Sequence, residues 1–454
     1  MIPKSAVSNV SWPAVPSPSA AVLLALQQQL QETEWLATAE LERLQLEELS
    51  RLLRHACETV PYYRDGDDYA ALARSGEASP AYWARLPVLT RADVQQAGDA
   101  LHSEAVPADH QPLAEALTSG STGRPVRAVG SVVTGLFWMA ITLREQLWHG
   151  RDLGGTLAAI RAEQSDRMPA EGLTLDGWGP ALDTVYRTGP CQLFSIQHDI
   201  EAQAEWLRRQ NPDVLLTYPS NLMALAQHFI DSGSRLPRLR DVSTYGEAVT
   251  PDVRTAVSEA WGARLIDMYS TQEVGYIALQ CPRAERYHVQ AESVYVEVLD
   301  EDGEPCKPGQ VGSVVVSTLH NYAMPLIRYE VGDYAEVGEP CACGRGLPVL
   351  NRVMGRQRNM MELPSGQKVW PTFPAKSWAH IEAIKQLQIV QTAPDQLQAK
   401  IVGPRPLSKK EKSEFATMLQ NRFGHPFRVS FDYVDEIPRS GSLKYEDFIS
   451  QLRP

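Results

Sequence analysis

Thr118-Ser119-Gly120-Ser121-Thr122-Gly123 sets four hydroxyls and two glycines within six residues. Glycines at 120 and 123 let the backbone turn its N–H groups toward an anion, and Thr118, Ser119, Ser121 and Thr122 add hydroxyl donors. The segment therefore reads as a phosphate cradle. It is not a Walker loop, because the G-x-x-x-x-G-K-[ST] spacing and its lysine are missing, which disfavours a P-loop kinase or GTPase. A second cluster is built on sulfur. Cys341-Ala342-Cys343 puts two thiols on one tight turn, and Cys281 with His288 supplies two more donors from a connecting hairpin. Three thiolates and an imidazole form a closed tetrahedral zinc set, structural in kind because no position is left for water. Cys57, Cys191 and Cys306 stand alone and are read as ordinary residues.

Further motifs follow in order: Tyr269-Ser270-Thr271-Gln272-Glu273, Arg328-Tyr329-Glu330-Val331-Gly332-Asp333, Gly355-Arg356 and Pro438-Arg439-Ser440-Gly441-Ser442-Leu443-Lys444. With the hydroxyl-rich loop they resemble the adenylate-forming superfamily of acyl-CoA synthetases, luciferases and adenylation domains, over residues from about 21 to 448. The helical opening, the Pro61-Tyr62-Tyr63 break and Leu86-Pro87-Val88-Leu89-Thr90 resemble its phenylacetate-CoA ligase branch. The resemblance implies that Tyr269 packs on adenine, that Glu273 helps hold magnesium beside the phosphates, and that Asp333 binds the ribose hydroxyls. It implies that Arg356 reaches the nucleotide and that Lys444 neutralises the carboxylate and α-phosphate during adenylation. The residue types suit these tasks: a hard cation takes carboxylate oxygen, and a purine takes a flat apolar face. Some members of the branch, including enzymes that adenylate deazaflavin cofactors, carry zinc on a Cys…His…Cys-x-Cys series like the one here. The chain departs from the family pattern at Ser270, Gln272 and Leu443, and at Arg358 and Asn359, where a hinge aspartate is expected.

These groups need a scaffold, and the pattern supplies one. Short apolar runs (Leu157–Ile160, Val214–Thr217, Leu265–Tyr269) alternate with helical segments, which predicts a parallel sheet flanked by helices, with ligands at the C-terminal strand ends. The motifs fall at those ends, as does Tyr245-Gly246-Glu247-Ala248. Gly246, Glu247, Ala248, Tyr269, Ser270 and Gln272 are therefore assigned to the nucleotide site with Asp333. Trp138, Thr142, Tyr218 and Tyr245 flank the expected acyl pocket, with an apolar character that favours an aromatic or otherwise apolar acid. Alternating strands from Val294 to Thr318 around a turn at 300–304 predict a β-rich subdomain. The expected organisation is a loose tail over 1–20, an N-terminal adenylation domain over 21–355 with a β-rich, zinc-binding part near 281–350, and a small mobile α+β lid over 356–454. The fold class is thus α/β.

With 454 residues the chain exceeds one ordinary core, and an apolar fraction of 43% is globular. A net charge of −12 argues against a nucleic-acid or anionic-membrane surface. No apolar run approaches the roughly 20 residues needed to span a bilayer, and no signal-peptide pattern opens the chain, so a cytoplasmic setting is expected. The activity implied is an AMP-forming ligase. A carboxylic acid and Mg-ATP give acyl-AMP and pyrophosphate, and the acyl group passes to coenzyme A by default. The alternatives are transfer to an amine or carrier protein, or a zinc-stabilised binding module with weakened catalysis. The resemblance also admits a homodimer.

Overall fold

The computed structural model describes residues 2–75, 79–117, 126–162, 168–356, 359–371, 373, 378, 380–437 and 446–452. Two compact units emerge: Met1–Val249 with Val253–Val353, and Met354–Pro454 with Thr250–Asp252.

The first unit opens with α1 (Pro18–Thr33) and α2 (Thr38–Thr59). The Ser17 side chain caps α1 by accepting from the Ala20 N–H, and Pro18 fills the first position, where no N–H is needed. The preceding segment is tied to the body through Lys4 N–H to the Val185 carbonyl at 2.8 Å. Four short helices follow: α3 (Pro61–Arg64), α4 (Asp67–Ser75), α5 (Pro80–Trp83) and α6 (Arg91–Ala97). Thr90 caps α6 in a reciprocal box with Asp93. A hairpin of β1 (Leu113–Leu117) and β2 (Arg127–Ser131) then leads into α7 (Val132–Trp148), whose own capping box joins Ser131 and Thr134.

The α/β core runs through β3 (Leu157–Arg161), β4 (Leu173–Leu175), α8 (Pro180–Asp183), β5 (Cys191–Ser195), α9 (Ile200–Gln210), β6 (Val214–Thr217), α10 (Pro219–Ser232), β7 (Asp241–Tyr245), α11 (Pro251–Trp261) and β8 (Arg264–Thr271). Strands β5, β3, β6, β7 and β8 pair in parallel, the arrangement predicted from the alternation of apolar runs and helices. Next come β9 (Gly275–Gln280), β10 (Tyr287–Val289), β11 (Val294–Leu299), β12 (Val311–Thr318), β13 (Tyr329–Val337) and β14 (Val349–Arg356). The β-rich region adjoins the parallel strands directly. Its strands extend the same sheet in the order β11-β12-β13-β14-β10-β9-β8-β7-β6-β3-β5-β4, because the β8–β9 and β9–β10 hairpins fold back antiparallel and continue the ladder. The result is an α/β fold with a parallel centre and an antiparallel wing.

A core around Leu49, Tyr63, Trp83, Tyr269, Ile277, Val316 and Tyr329 ties the N-terminal helices to that wing. Burying each large apolar side chain contributes about 1.5–3 kcal/mol, so the opening helices are integral to the unit.

The second unit carries β15 (Met361–Glu362), β16 (Lys368–Val369), β17 (Gln386–Ala393), β18 (Gln396–Val402), α12 (Lys409–Phe423), β19 (Arg428–Tyr433) and β20 (Phe448–Ser450). Its four-stranded sheet, β19-β18-β17-β20, packs Phe415 and Leu419 of α12 against Ile389, Ala399 and Ile401. No helix among the described residues is long and apolar enough to cross a membrane.

Candidate active site and metal centre

The two carboxylate motifs, 64 residues apart, meet although β14, β10 and β9 lie between β13 and β8 in the sheet order. The Tyr269 hydroxyl donates to Asp333 Oδ2 at 3.0 Å. Tyr269 comes from β8, where the pairing with β9 shifts register between Tyr269 and Ser270, and its ring is buried in the main core. Asp333 comes from β13, directly after Gly332 at φ 81°. Past the end of β8, the Thr271 hydroxyl accepts from the Val274 N–H at 3.2 Å and closes the turn that carries Gln272 and Glu273. Glu273 Oε1 accepts from Arg91 at 2.9 Å.

Arg91 owes its place to a backbone splice. Leu89 N–H donates to the Arg328 carbonyl and Glu330 N–H to the Leu89 carbonyl, each at 2.9 Å, which adds the Leu-Pro-Val-Leu-Thr segment alongside β13. Arg328, the first residue of the motif that ends at Asp333, has a structural task. Its buried guanidinium pairs with Glu297 at 3.0 Å and donates to the carbonyls of Ala84 and Leu86. The sequence pattern named the motif and not this division of labour.

At the ends of β6 and β7, Glu247 accepts from the Ser220 N–H at 2.8 Å and from the Ser220 hydroxyl at 3.1 Å. That places a carboxylate on the N-terminus of α10, where the helix dipole favours it. Gly246, at φ 77°, makes the turn that sends Glu247 there, and Ala248 follows half-buried. The Tyr218 and Tyr245 rings lie 4.8 Å apart at 37°, and burial holds the Tyr245 phenol well above its ordinary range. Tyr245 stands beside Met268 in the β7–β8 register, and Met268 packs with Tyr276 and Ile141 of α7. Adjacent strand partners point to one face, so Tyr245 and Met268 share a face, and Met268 packs with Ile141 of α7.

On α7, Trp138 and Thr142 occupy successive turns. Thr142 Oγ1 lies 2.8 Å from the Trp138 carbonyl and 3.2 Å from the Tyr276 hydroxyl, while the Trp138 and Tyr276 rings stack at 5.7 Å. Burial pushes the Tyr276 phenol up to about 12, so it stays protonated. Tyr276 was not singled out from the sequence. Its position three residues beyond Glu273, in the apolar strand that follows that motif, is the signal that could have found it.

The sulfur cluster assembles as its spacing predicts. The ligand atoms of Cys281, His288, Cys341 and Cys343 all lie within 4.8 Å of one another, and all four residues are buried. Cys281 Sγ is 3.8 Å from Cys341 Sγ, and Cys343 Sγ is 3.3 Å from His288 Nε2. A tetrahedron with Zn–S near 2.3 Å and Zn–N near 2.0 Å has edges of about 3.5–3.8 Å. The donor set therefore fits zinc in chemistry and in size. Burial, reinforced by Arg345, lowers the His288 imidazole to about 4, which keeps it neutral as a ligand must be. Burial raises the Cys281 thiol to about 11, the cost of three clustered sulfurs that a divalent cation would offset.

The cysteine loop is docked on the α1–α2 turn. Gly346 N–H donates to the Glu34 carbonyl at 2.9 Å and Thr38 donates to the Gly346 carbonyl at 3.0 Å. A Cβ on Gly346 would sit 1.7 Å from the Leu36 carbonyl oxygen, so only glycine permits this approach. Arg345 donates to Glu34 at 3.0 Å and lies over the Trp148 ring at 4.4 Å, while Trp148 meets His288 edge-on at 5.9 Å. Glu34, Trp148 and Arg345 were not named from the sequence, since no local pattern marks residues joined only by folding.

In the second unit, Gly355 has φ 94° and Arg356 ends β14. The Asn359 amide donates to the Phe448 carbonyl at 2.8 Å. A carboxylate at 359 would have no proton for that carbonyl, which is a physical reason for asparagine at this position. Thr118, Ser119, Gly120, Ser121, Thr122 and Gly123, in the segment joining β1 to β2, lie outside the described residues, as do Arg358 and Lys444.

Comparison with known proteins accounts for this arrangement. A family model described as AMP-binding enzyme matches residues 185–323, and one described as CapK C-terminal domain matches residues 362–451. The phenylacetate-coenzyme A ligase of Thermus thermophilus is 28% identical over 371 residues, covering 79% of this chain and 80% of the relative. That of Escherichia coli is 25% identical over 434 residues, covering 90% and 95%. Among solved structures, 2-hydroxyisobutyryl-CoA ligase in its postadenylation state shares the fold with a TM-score of 0.71 at 20% identity, covering 93% of this chain and 92% of that one. The fold is that of adenylate-forming enzymes. In sequence the chain is similar to the phenylacetate-coenzyme A ligases, and it reads as an AMP-forming acid–CoA ligase.

Proposed function

We propose that the protein activates an apolar, aromatic carboxylic acid with ATP and transfers the acyl group to coenzyme A. In the first half-reaction a carboxylate oxygen attacks the α-phosphorus, an acyl–phosphate bond forms, and the bond to pyrophosphate breaks. In the second, the coenzyme A thiol loses its proton, attacks the acyl carbon and releases AMP. The observation that carries the reading is the junction of Tyr269 with Asp333, which gathers two nucleotide motifs into one place. Asp333 would accept from the ribose hydroxyls, and Glu273 would hold magnesium, which supplies neutralisation of phosphate charge when bound. Stacked Trp138 and Tyr276, together with the Tyr218–Tyr245 pair, support a flat apolar acid. The phenylacetate-coenzyme A ligases among the relatives support coenzyme A as acceptor.

Lys444 and the hydroxyl-rich loop act on the α-phosphate and the leaving pyrophosphate in this reading, with the second unit serving as a lid. The Cys281, His288, Cys341 and Cys343 set holds a structural zinc, and reduced thiols of this kind suit the cytoplasm. Magnesium-dependent ATP–pyrophosphate exchange over a panel of aromatic and aliphatic acids, followed by thioester detection with coenzyme A, tests the reading. Exchange with aromatic acids and thioester formation are expected. Exchange confined to short aliphatic acids overturns the substrate class, and adenylate formed without thioester overturns the acceptor.

A further inference from the structure

Arg91 is the first residue of a helix whose N-terminus carries partial positive charge, a position where a cation is unfavourable and Asp or Glu is preferred. The helix therefore gives no reason for an arginine. Its partner does: Arg91 Nη1 meets Glu273 Oε1 at 2.9 Å across 182 residues, with the side chains 23% and 9% exposed. A carboxylate so far removed from water needs a counter-charge or a strong donor. Among the described residues Arg91 engages one oxygen, Oε1, and Oε2 has no protein partner.

The position of Arg91 is over-determined. Leu89, two residues earlier, exchanges backbone hydrogen bonds with Arg328 and Glu330 at the start of the strand bearing Asp333. Thr90 locks the helix entrance through its box with Asp93, at 2.6 Å between the Thr90 hydroxyl and Asp93 Oδ2. One short segment is thus fastened to the Asp333 strand and, through a guanidinium, to Glu273.

We propose that Arg91 is a positioning residue for the metal that accompanies ATP. It fixes Glu273 by one oxygen and leaves the other turned free for the cation. This rests on the reading of Glu273 as the magnesium ligand. A group that orients a metal-binding carboxylate typically changes metal affinity 10–100-fold when removed.

The test is calorimetric titration of the full-length protein with ATP, once with magnesium and once with EDTA, so that no turnover is needed. In the parent, magnesium strengthens ATP binding. Arg91→Gln is expected to cut that gain at least about tenfold while ATP affinity in EDTA stays unchanged, and Arg91→Lys, which keeps the charge, recovers most of it. Circular dichroism checks that each variant is folded. An Arg91→Gln protein with the parental magnesium gain overturns the proposal, and so does equal weakening with and without magnesium, which would mean direct phosphate contact. Glu273→Gln separates the two layers. If it abolishes the gain while Arg91→Gln does not, only the role of Arg91 fails; if it leaves the gain intact, the assignment of Glu273 fails and the proposal with it.

Discussion

Tyr269→Phe removes one oxygen and keeps the buried ring, so it isolates the hydrogen bond to Asp333 from the packing around it. Hydrogen bonds to charged groups are worth about 1.5–3 kcal/mol. Asp333 is only half-buried and has further interactions, so water and those partners recover part of the loss. A net effect of about 1–1.5 kcal/mol remains, which weakens ATP binding roughly 5- to 13-fold. The assay is equilibrium ATP binding by calorimetry, repeated with 2′,3′-dideoxy-ATP. With Asp333 as the proposed ribose ligand, the parent and the variant should bind the dideoxy nucleotide alike. Unchanged ATP affinity in Tyr269→Phe would refute the idea that the phenol orients Asp333. An equal loss with both nucleotides would move its effect from the ribose to the base.

Pure protein should contain one equivalent of zinc, and Cys343→Ser should lose both the metal and stability, because a structural zinc contributes folding free energy directly; metal analysis and thermal unfolding check this. Lys444→Ala should nearly abolish acyl-AMP formation while supplied acyl-adenylate is still consumed with coenzyme A, and equal loss of both half-reactions would show that the lysine is not specific to one step. The pH dependence of stability should carry the mark of Asp267. Burial raises this carboxyl to about 6 from an ordinary 3.8, against the lowering effect of its bonds from Tyr287 and Thr244. The folded state thus holds the proton more tightly than the unfolded chain. Its stabilising effect is full below about pH 4 and is lost as pH rises through 6, a span of about 3 kcal/mol. Urea unfolding from pH 4 to 7 should show a shallower decline in Asp267→Asn than in the parent.

Local patterns carried much of the fold. The parallel strands are legible because apolar period acts over a few residues. The cysteine cluster was also legible as two donor pairs, one on a hairpin and one on a tight turn, although the β10–β14 pairing is what brings the pairs together. The continuity of the β-rich strands with the main sheet was not. Alternation marks a strand and one buried face, and says nothing of which edge it joins.

Residue types and their order already hold the chemistry available: carboxylates at 273 and 333, a hydroxyl-rich loop and a thiol set. Which side chain serves which neighbour was decided only by the tertiary structure. Arg328 proved to be a staple for the Ala84–Leu86 backbone, Tyr269 a support for Asp333, and Arg91 the partner of Glu273 across 182 residues. The physical reason is range. A motif is read through spacing along the chain, whereas a hydrogen bond or ion pair depends on approach within about 3 Å, which only the packing of distant strands and helices creates.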